Sequence, residues 1–69
     1  MQQKEMEQIC MNTLGCSLYK ARGIVLKFVK LHYKGEKRLL EKFEVTYDAQ
    51  GRIVIKYQVK DRNPQKVTL

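Results

Sequence analysis

Two alternating stretches on either side of a short polar link constrain the fold more than any other feature of this sequence. Apolar and polar side chains alternate from Phe43 to Tyr47, and apolar side chains recur at every second position from Ile53 to Val59. A period of two is typical of strands with one buried face. The link offers Asp48 for the first position of a turn and Gly51 where a positive φ is needed, which suits a type I turn closed by a glycine bulge. The pattern predicts an antiparallel hairpin with strands at about 39–48 and 52–60.

The N-terminal part carries a helical pattern. Apolar residues recur there at three- and four-residue spacing, namely Met6, Ile9, Cys10, Leu14, Leu18 and Ala21. Acidic residues stand near the start of the segment, basic residues near its end, and Gly23 follows, as expected for the ends of a helix. The prediction is one helix over about residues 3–22. Gly15 lies inside this range, and a break near Gly15 is the alternative.

Residues 24–34 fit two patterns. On a helical wheel, Lys27, Lys30, Lys34 and Lys37 cluster in one arc, as in a basic amphipathic helix. The surrounding β-branched and aromatic residues prefer strands, and flanking glycines are typical of strand ends. We therefore predict a bent strand at about 24–34, with a β-bulge near residues 29–30 that restores the alternation.

Together these elements predict a single α+β domain over residues 1–69. The N-terminal helix packs on one face of a three-stranded antiparallel meander with strands at about 24–34, 39–48 and 52–60. Residues 61–69 are predicted to form a loose C-terminal tail, with a short final strand at 67–69 as the alternative.

The positive charge is unevenly distributed. The formal net charge is +7, while apolar residues make up 43% and charged residues 30%, which is globular composition. Residues 20–38 hold seven basic side chains against one acidic side chain. Such a concentration attracts nucleic acid, acidic proteins or anionic membranes, and its sign alone does not choose among them.

The first functional hypothesis is a small non-catalytic module that binds nucleic-acid phosphates, without sequence specificity, through a lysine-rich sheet face. The residues assigned to this face are Lys27, Lys30, Lys34, Lys37, Arg38, Lys56 and Lys60. No helix-turn-helix or KH loop is evident, and no aromatic residues are placed to stack bases. Edge protection is an equally weighted explanation of the lysines, because lysines discourage exposed strands from aggregating.

The second functional hypothesis is a protein-binding adaptor or inhibitor that meets an acidic partner. Its size and charge also suit the small proteins that mobile elements encode. A chain of this length buries a modest core, so a homodimer is an open alternative.

Nothing in the sequence assembles a catalytic or metal site. His32 is the only histidine, and Cys10 and Cys16 have no base at a motif spacing. The prediction is therefore no enzyme, no metal and no cofactor. On one helix the cysteines would stand about 9 Å apart along the axis, beyond the roughly 7 Å that a disulfide spans. Reduced thiols, no signal-peptide pattern and no membrane-spanning run predict a cytoplasmic protein.

Overall fold

The computed structural model describes residues 1–69 as two helices followed by a three-stranded antiparallel sheet. Helix α1 spans Gln3–Leu14, and helix α2 spans Leu18–Phe28 and continues as one π-helical turn, Val29–Tyr33. The strands are β1 (Leu40–Tyr47), β2 (Ile53–Val59) and β3 (Gln65–Thr68), with β2 in the centre. The predicted α+β class and three-stranded antiparallel sheet are confirmed.

The predicted hairpin is the β1–β2 pair. Phe43 stands opposite Tyr57 and Val45 opposite Ile55, and the register shifts once between Leu40 and Lys42. In the turn, Asp48 Oδ1 accepts hydrogen bonds from the backbone N–H groups of Gln50 (2.9 Å) and Arg52 (2.8 Å). The backbone hydrogen bond from Arg52 is the main reason that the pKa of Asp48 lies below its usual value. Gly51 has φ 79°, the positive value that the turn requires.

The N-terminal helical segment breaks at Gly15, so the alternative to a single helix over 3–22 is the one observed. Gly15 has φ 65° and ψ 28°, and its N–H donates to Met11 O at 2.9 Å, which closes α1 with a left-handed residue. Ser17 then begins α2, since its Oγ accepts a hydrogen bond from the N–H of Lys20 at 3.2 Å. Gly15, Cys16 and Ser17 therefore form a three-residue turn between two helices.

The predicted strand at 24–34 is wrong, because these residues belong to α2 and the π-helical turn. Ala21, Ile24, Val25 and Phe28 lie at helical spacing, and all four are buried. Burying a large apolar side chain contributes about 1.5–3 kcal/mol, whereas the helix propensities of Val and Ile cost only a few tenths each. Burial therefore outweighs the strand preference, and the expected β-bulge near residues 29–30 is a widened helical turn.

The core lies between the inner face of the sheet and both helices. Met6 and Cys10 of α1 meet the buried face of α2 and the inward side chains of β1 and β2. Phe28 is fully buried, and its ring centroid lies 4.8 Å from that of Tyr57 and 5.5 Å from that of Phe43, both edge-on. Such edge-to-face contacts add about 0.5–1.5 kcal/mol each beyond the area they bury.

The C-terminal tail is more ordered than the prediction of a loose segment over 61–69. Residues 65–68 form β3, which supplies the short final strand that was the alternative. Ile55 stands opposite Val67, and Lys56 stands opposite Lys66. In the predicted meander the strand at 52–60 comes last and would be an edge, but β3 pairs beside it, so β2 is the central strand and β1 and β3 form the edges.

Candidate nucleic-acid interface

The structure separates the seven predicted site residues, which the sequence had assigned to one sheet face. Lys27 and Lys30 lie on α2 and its π-helical turn, and Lys34 directly follows that turn. Lys37 and Arg38 lie in the loop before β1. Only Lys56 occupies the middle of a strand, while Lys60 directly follows β2. A single lysine-rich sheet face containing all seven residues does not exist.

The solvent side of α2 collects the largest group of basic residues. We call this surface the α2 face, and it consists of the exposed residues Tyr19, Arg22, Gly23, Leu26, Lys27, Lys30 and Lys34. Tyr19, Gly23, Leu26 and Lys30 follow one another at four-, three- and four-residue spacing, so they form one stripe along the helix. Arg22 and Lys27 flank the stripe on opposite sides.

The chain has no carboxylate between Glu7 and Glu36, so the α2 face carries cations with no acidic residue of its own helix among them. The structure has three ion pairs, and each uses an arginine: Arg22–Glu7, Arg38–Glu36 and Arg52–Asp48. No lysine has a carboxylate oxygen within 4.0 Å. The ammonium groups of Lys27, Lys30 and Lys34 therefore remain available for an anionic partner.

Helix α1 holds one flank of the α2 face in place. Glu7 is almost fully buried in the α1–α2 seam, where it accepts a hydrogen bond from Gln3 Nε2 at 3.3 Å. Arg22 Nε lies 3.8 Å from Glu7 Oε1, while the Arg22 side chain stays 61% exposed. Glu7 therefore lies beside the Nε end of the guanidinium, and most of the Arg22 side chain stays in solvent.

The outer sheet face is a second basic surface, with a different balance of charge. We define it by the outward residues Lys42, Glu44, Thr46, Lys56, Gln58 and Lys66. Glu44 stands opposite Lys56, and Lys56 stands opposite Lys66. A carboxylate therefore sits inside this lysine cluster, which weakens its attraction for phosphates relative to that of the α2 face.

The remaining predicted residues gather around the loop before β1. The N–H of Arg38 donates to Glu36 Oε1 at 2.9 Å, and its carbonyl accepts from the Tyr33 hydroxyl at 2.7 Å. The backbone hydrogen bond from Arg38 is the main reason that the pKa of Glu36 lies below its usual value. Lys60 adjoins this loop through its N–H, which donates to Leu39 O at 2.9 Å. Arg38 is thus partly engaged within the chain, unlike Lys27, Lys30 and Lys34.

Cys10, Cys16 and His32 are the remaining side chains that could act as nucleophile, base or metal ligand. Cys10 is fully buried, and burial is the first cause that raises the pKa of its thiol to about 11. A thiol with that pKa is protonated at neutral pH and is a poor nucleophile. The sulfur of Cys16 lies 3.7 Å from Cys10 O, and the His32 ring lies 6.2 Å from that of Phe28. No group of three His, Cys, Asp or Glu side chains is placed to hold a metal ion.

One of the four concavities of the surface lies near the C-terminal end of the π-helical turn. It has a volume of about 240 Å³, and its lining includes His32, Tyr33, Glu36, Tyr57 and Arg62. Acidic and basic groups both face it, so it lacks the uniform charge of the α2 face.

Neither helix is both long enough and apolar enough to cross a lipid bilayer.

Comparisons with protein-family models, with curated proteins and with solved structures found no match for this chain.

Sequence reasoning missed that α2 holds the principal basic surface. The helical-wheel cluster of Lys27, Lys30 and Lys34 was the signal that pointed to it. Leu14-Gly15 followed by Ser17 was a second signal, since glycine ends helices and serine begins them. Tyr19, Gly23 and Leu26 carried no charge signal, and they join the candidate site only because the fold exposes them beside the lysines.

Proposed function

We propose that this protein is a non-catalytic module that binds nucleic-acid phosphates through the α2 face. The observation that carries the proposal is the acid-free helical surface on which Lys27, Lys30 and Lys34 have no ion-pair partner. Cations that replace the counterions of a nucleic acid release those ions, so the affinity should fall steeply as salt is added.

The structure favours this function over edge protection for the same three lysines. Lys27, Lys30 and Lys34 do not lie on a strand, so they shield no sheet edge. Both real edges carry lysines of their own, with Lys42 on β1 and Lys66 on β3. Edge protection can therefore explain those two residues, and the lysines of α2 require another explanation.

The test compares two triple variants that each remove three positive charges. Lys27, Lys30 and Lys34 are changed to glutamine in one variant, and Lys42, Lys56 and Lys66 in the matched control. Each lysine lost from a B-DNA phosphate contact lowers the steepness of log K against log salt by about 0.9. The slope of log K against log salt should become less steep by up to three times that amount in the α2 variant. In the outer-sheet variant the slope should stay close to that of the parent protein.

Circular dichroism should show that both variants remain folded, because all six lysines are exposed. Equal losses in the two variants would mean that net charge alone drives binding. A larger loss in the outer-sheet variant would move the interface to the sheet. Absence of binding by the parent protein to DNA and RNA at low salt would end the proposal.

A second candidate function is binding to an acidic protein, and one specific observation favours it. Several large apolar side chains are exposed near the lysines, among them Tyr19 at 90% and Leu26 at 56%. Exposed apolar groups beside charges are a common feature of protein interfaces. Sedimentation of the purified protein would show whether a second copy of this basic chain covers the surface instead, and a stable dimer that hides Tyr19 would replace the acidic partner with the chain itself.

A further inference from the structure

We propose that α2 is a reading helix that enters the major groove of duplex DNA. This inference rests on the proposed function, and it names the nucleic acid and the groove. Three observations lead to it: the turn that joins the two helices, the dimensions and exposure of α2, and the glycine at the centre of its exposed stripe.

The connection between the helices has the length and the glycine of the turn in helix-turn-helix proteins. Such proteins join two helices by a turn of about three to four residues that often contains glycine, and the second helix lies in the major groove. Here the turn consists of Gly15 in a left-handed conformation, Cys16, and Ser17 as the cap of α2. Cys10 of α1 and Ala21 and Val25 of α2 belong to the same buried core cluster, and α1 packs against α2.

The size of α2 suits the major groove. An α-helix with its side chains is about 10–12 Å across, and the major groove of B-DNA is about 12 Å wide. The buried side of α2 rests on the core, so its opposite side is the part of the helix that can enter a groove. That opposite side is the α2 face.

The stripe and its flanks match the two chemistries of the groove. Arg22 and Lys27 stand on opposite sides of the stripe, where they can reach the phosphates of the two groove walls. Tyr19 and Leu26 lie on the stripe, where apolar groups can contact thymine methyls. The uncharged part of the stripe, Tyr19, Gly23 and Leu26, therefore corresponds to base edges between two phosphate backbones, while Lys30 adds a cation at the C-terminal end of the stripe.

Gly23 is the most specific observation. It lies inside α2 without a positive φ, and a Cβ added there would meet no atom within 4 Å. Glycine within a helix costs about 1 kcal/mol relative to alanine, and no contact within this chain requires it. A close approach by another surface does explain the missing side chain, because glycine lets a ligand lie against the backbone. Arg22 and Lys27 border Gly23 on both sides, so an anionic surface complements the charge around it.

The test measures the affinity for duplex DNA, duplex RNA and single-stranded DNA of matched sequence and length. A-form RNA has a deep, narrow major groove that does not admit a helix. Duplex DNA should therefore bind more tightly than duplex RNA or the single strand. The same measurement is made on Gly23→Leu, with Thr13→Leu as the control that adds the same side chain to an exposed position of α1.

Gly23→Leu should raise the midpoint of thermal unfolding, because leucine is a far better helix former than glycine. It should nevertheless weaken binding to duplex DNA by about tenfold or more, the scale of one good base contact. Thr13→Leu should leave that affinity unchanged. If Gly23→Leu is more stable than the parent protein and still binds DNA less tightly, the loss of affinity does not come from damage to the fold.

Two results would overturn the inference and leave the proposed function standing. One is duplex RNA or single-stranded DNA binding as tightly as duplex DNA. The other is unchanged DNA affinity in Gly23→Leu. If the parent protein binds none of the three nucleic acids at low salt, the proposed function and the inference fail together.

Discussion

Cys10 shows how a single side chain couples stability to pH. It is fully buried between the helices, and its thiol has a pKa of about 11 instead of the ordinary 9.0. The folded state therefore holds the thiol proton over a pH range in which the unfolded chain loses it. The contribution of this group to stability is fully present below pH 9 and is lost as pH rises through 11.

We expect the free energy of unfolding to fall between pH 9 and 11, partly because of Cys10. Denaturant titrations of the parent protein and of Cys10→Ala across this pH range would isolate the loss of stability that is due to Cys10. The alanine variant should be less stable at neutral pH, since it leaves a small cavity, and it should lose less stability as the pH rises. Parallel curves for the two proteins would show that the thiol does not titrate in this range.

Glycine positions in this chain show how much of a residue's role is visible before the structure is known. Gly51 could be assigned to the hairpin turn because the alternating strands fix its place. Gly15 was recognised as a break point, yet its left-handed φ was needed to show that two helices meet there. Gly23 was interpreted as the end of a helix, and it lies within α2 instead. The local sequence alone does not distinguish a glycine that ends a helix from a glycine that leaves the helix surface without a side chain.

The turn between α1 and α2 depends on one capping side chain. Ser17 Oγ accepts a hydrogen bond from the N–H of Lys20, which lies in the first turn of the helix and therefore has no backbone acceptor within it. We expect Ser17→Ala to lower the free energy of unfolding by about 1 kcal/mol, the usual effect of losing such a cap. Ser17→Asn retains an acceptor oxygen and should lose much less. Chemical denaturation of the three proteins measures both changes, and equal stability of Ser17→Ala and the parent protein would refute the role of this cap.

The error over 24–34 has a physical cause at the level of the element. The segment contains many residues that favour strands, and local preference is small beside the burial of Ile24, Val25 and Phe28 on one helical face. The hairpin was predictable because alternation, turn residues and burial all agree there. In 24–34 they disagree, and the wheel arrangement of the lysines was the better guide. The third strand of the sheet is β3 in the C-terminal tail, which is too short to show a clear alternation of apolar and polar residues.

At the scale of the whole molecule, the helices and the sheet divide the positive charge between two surfaces. The α2 face has cations with no acidic residue of its own helix among them, and the outer sheet face has lysines around Glu44. The amount of charge and its concentration in 20–38 were evident from the sequence. Its division was not, because that depends on whether 24–34 is a strand or a helix. One change of element moved three lysines from a sheet to a helical surface.

The central claim is that nucleic acid meets this protein on the α2 face. It is tested most directly by recording the amide NMR spectrum of the ¹⁵N-labelled protein while duplex DNA is added at low salt. We expect the largest shifts along α2, with the Gly23 amide among them, and small shifts on the outer sheet face around Lys56 and Lys66. Shifts concentrated on that sheet face, with the Gly23 amide unmoved, would contradict the account.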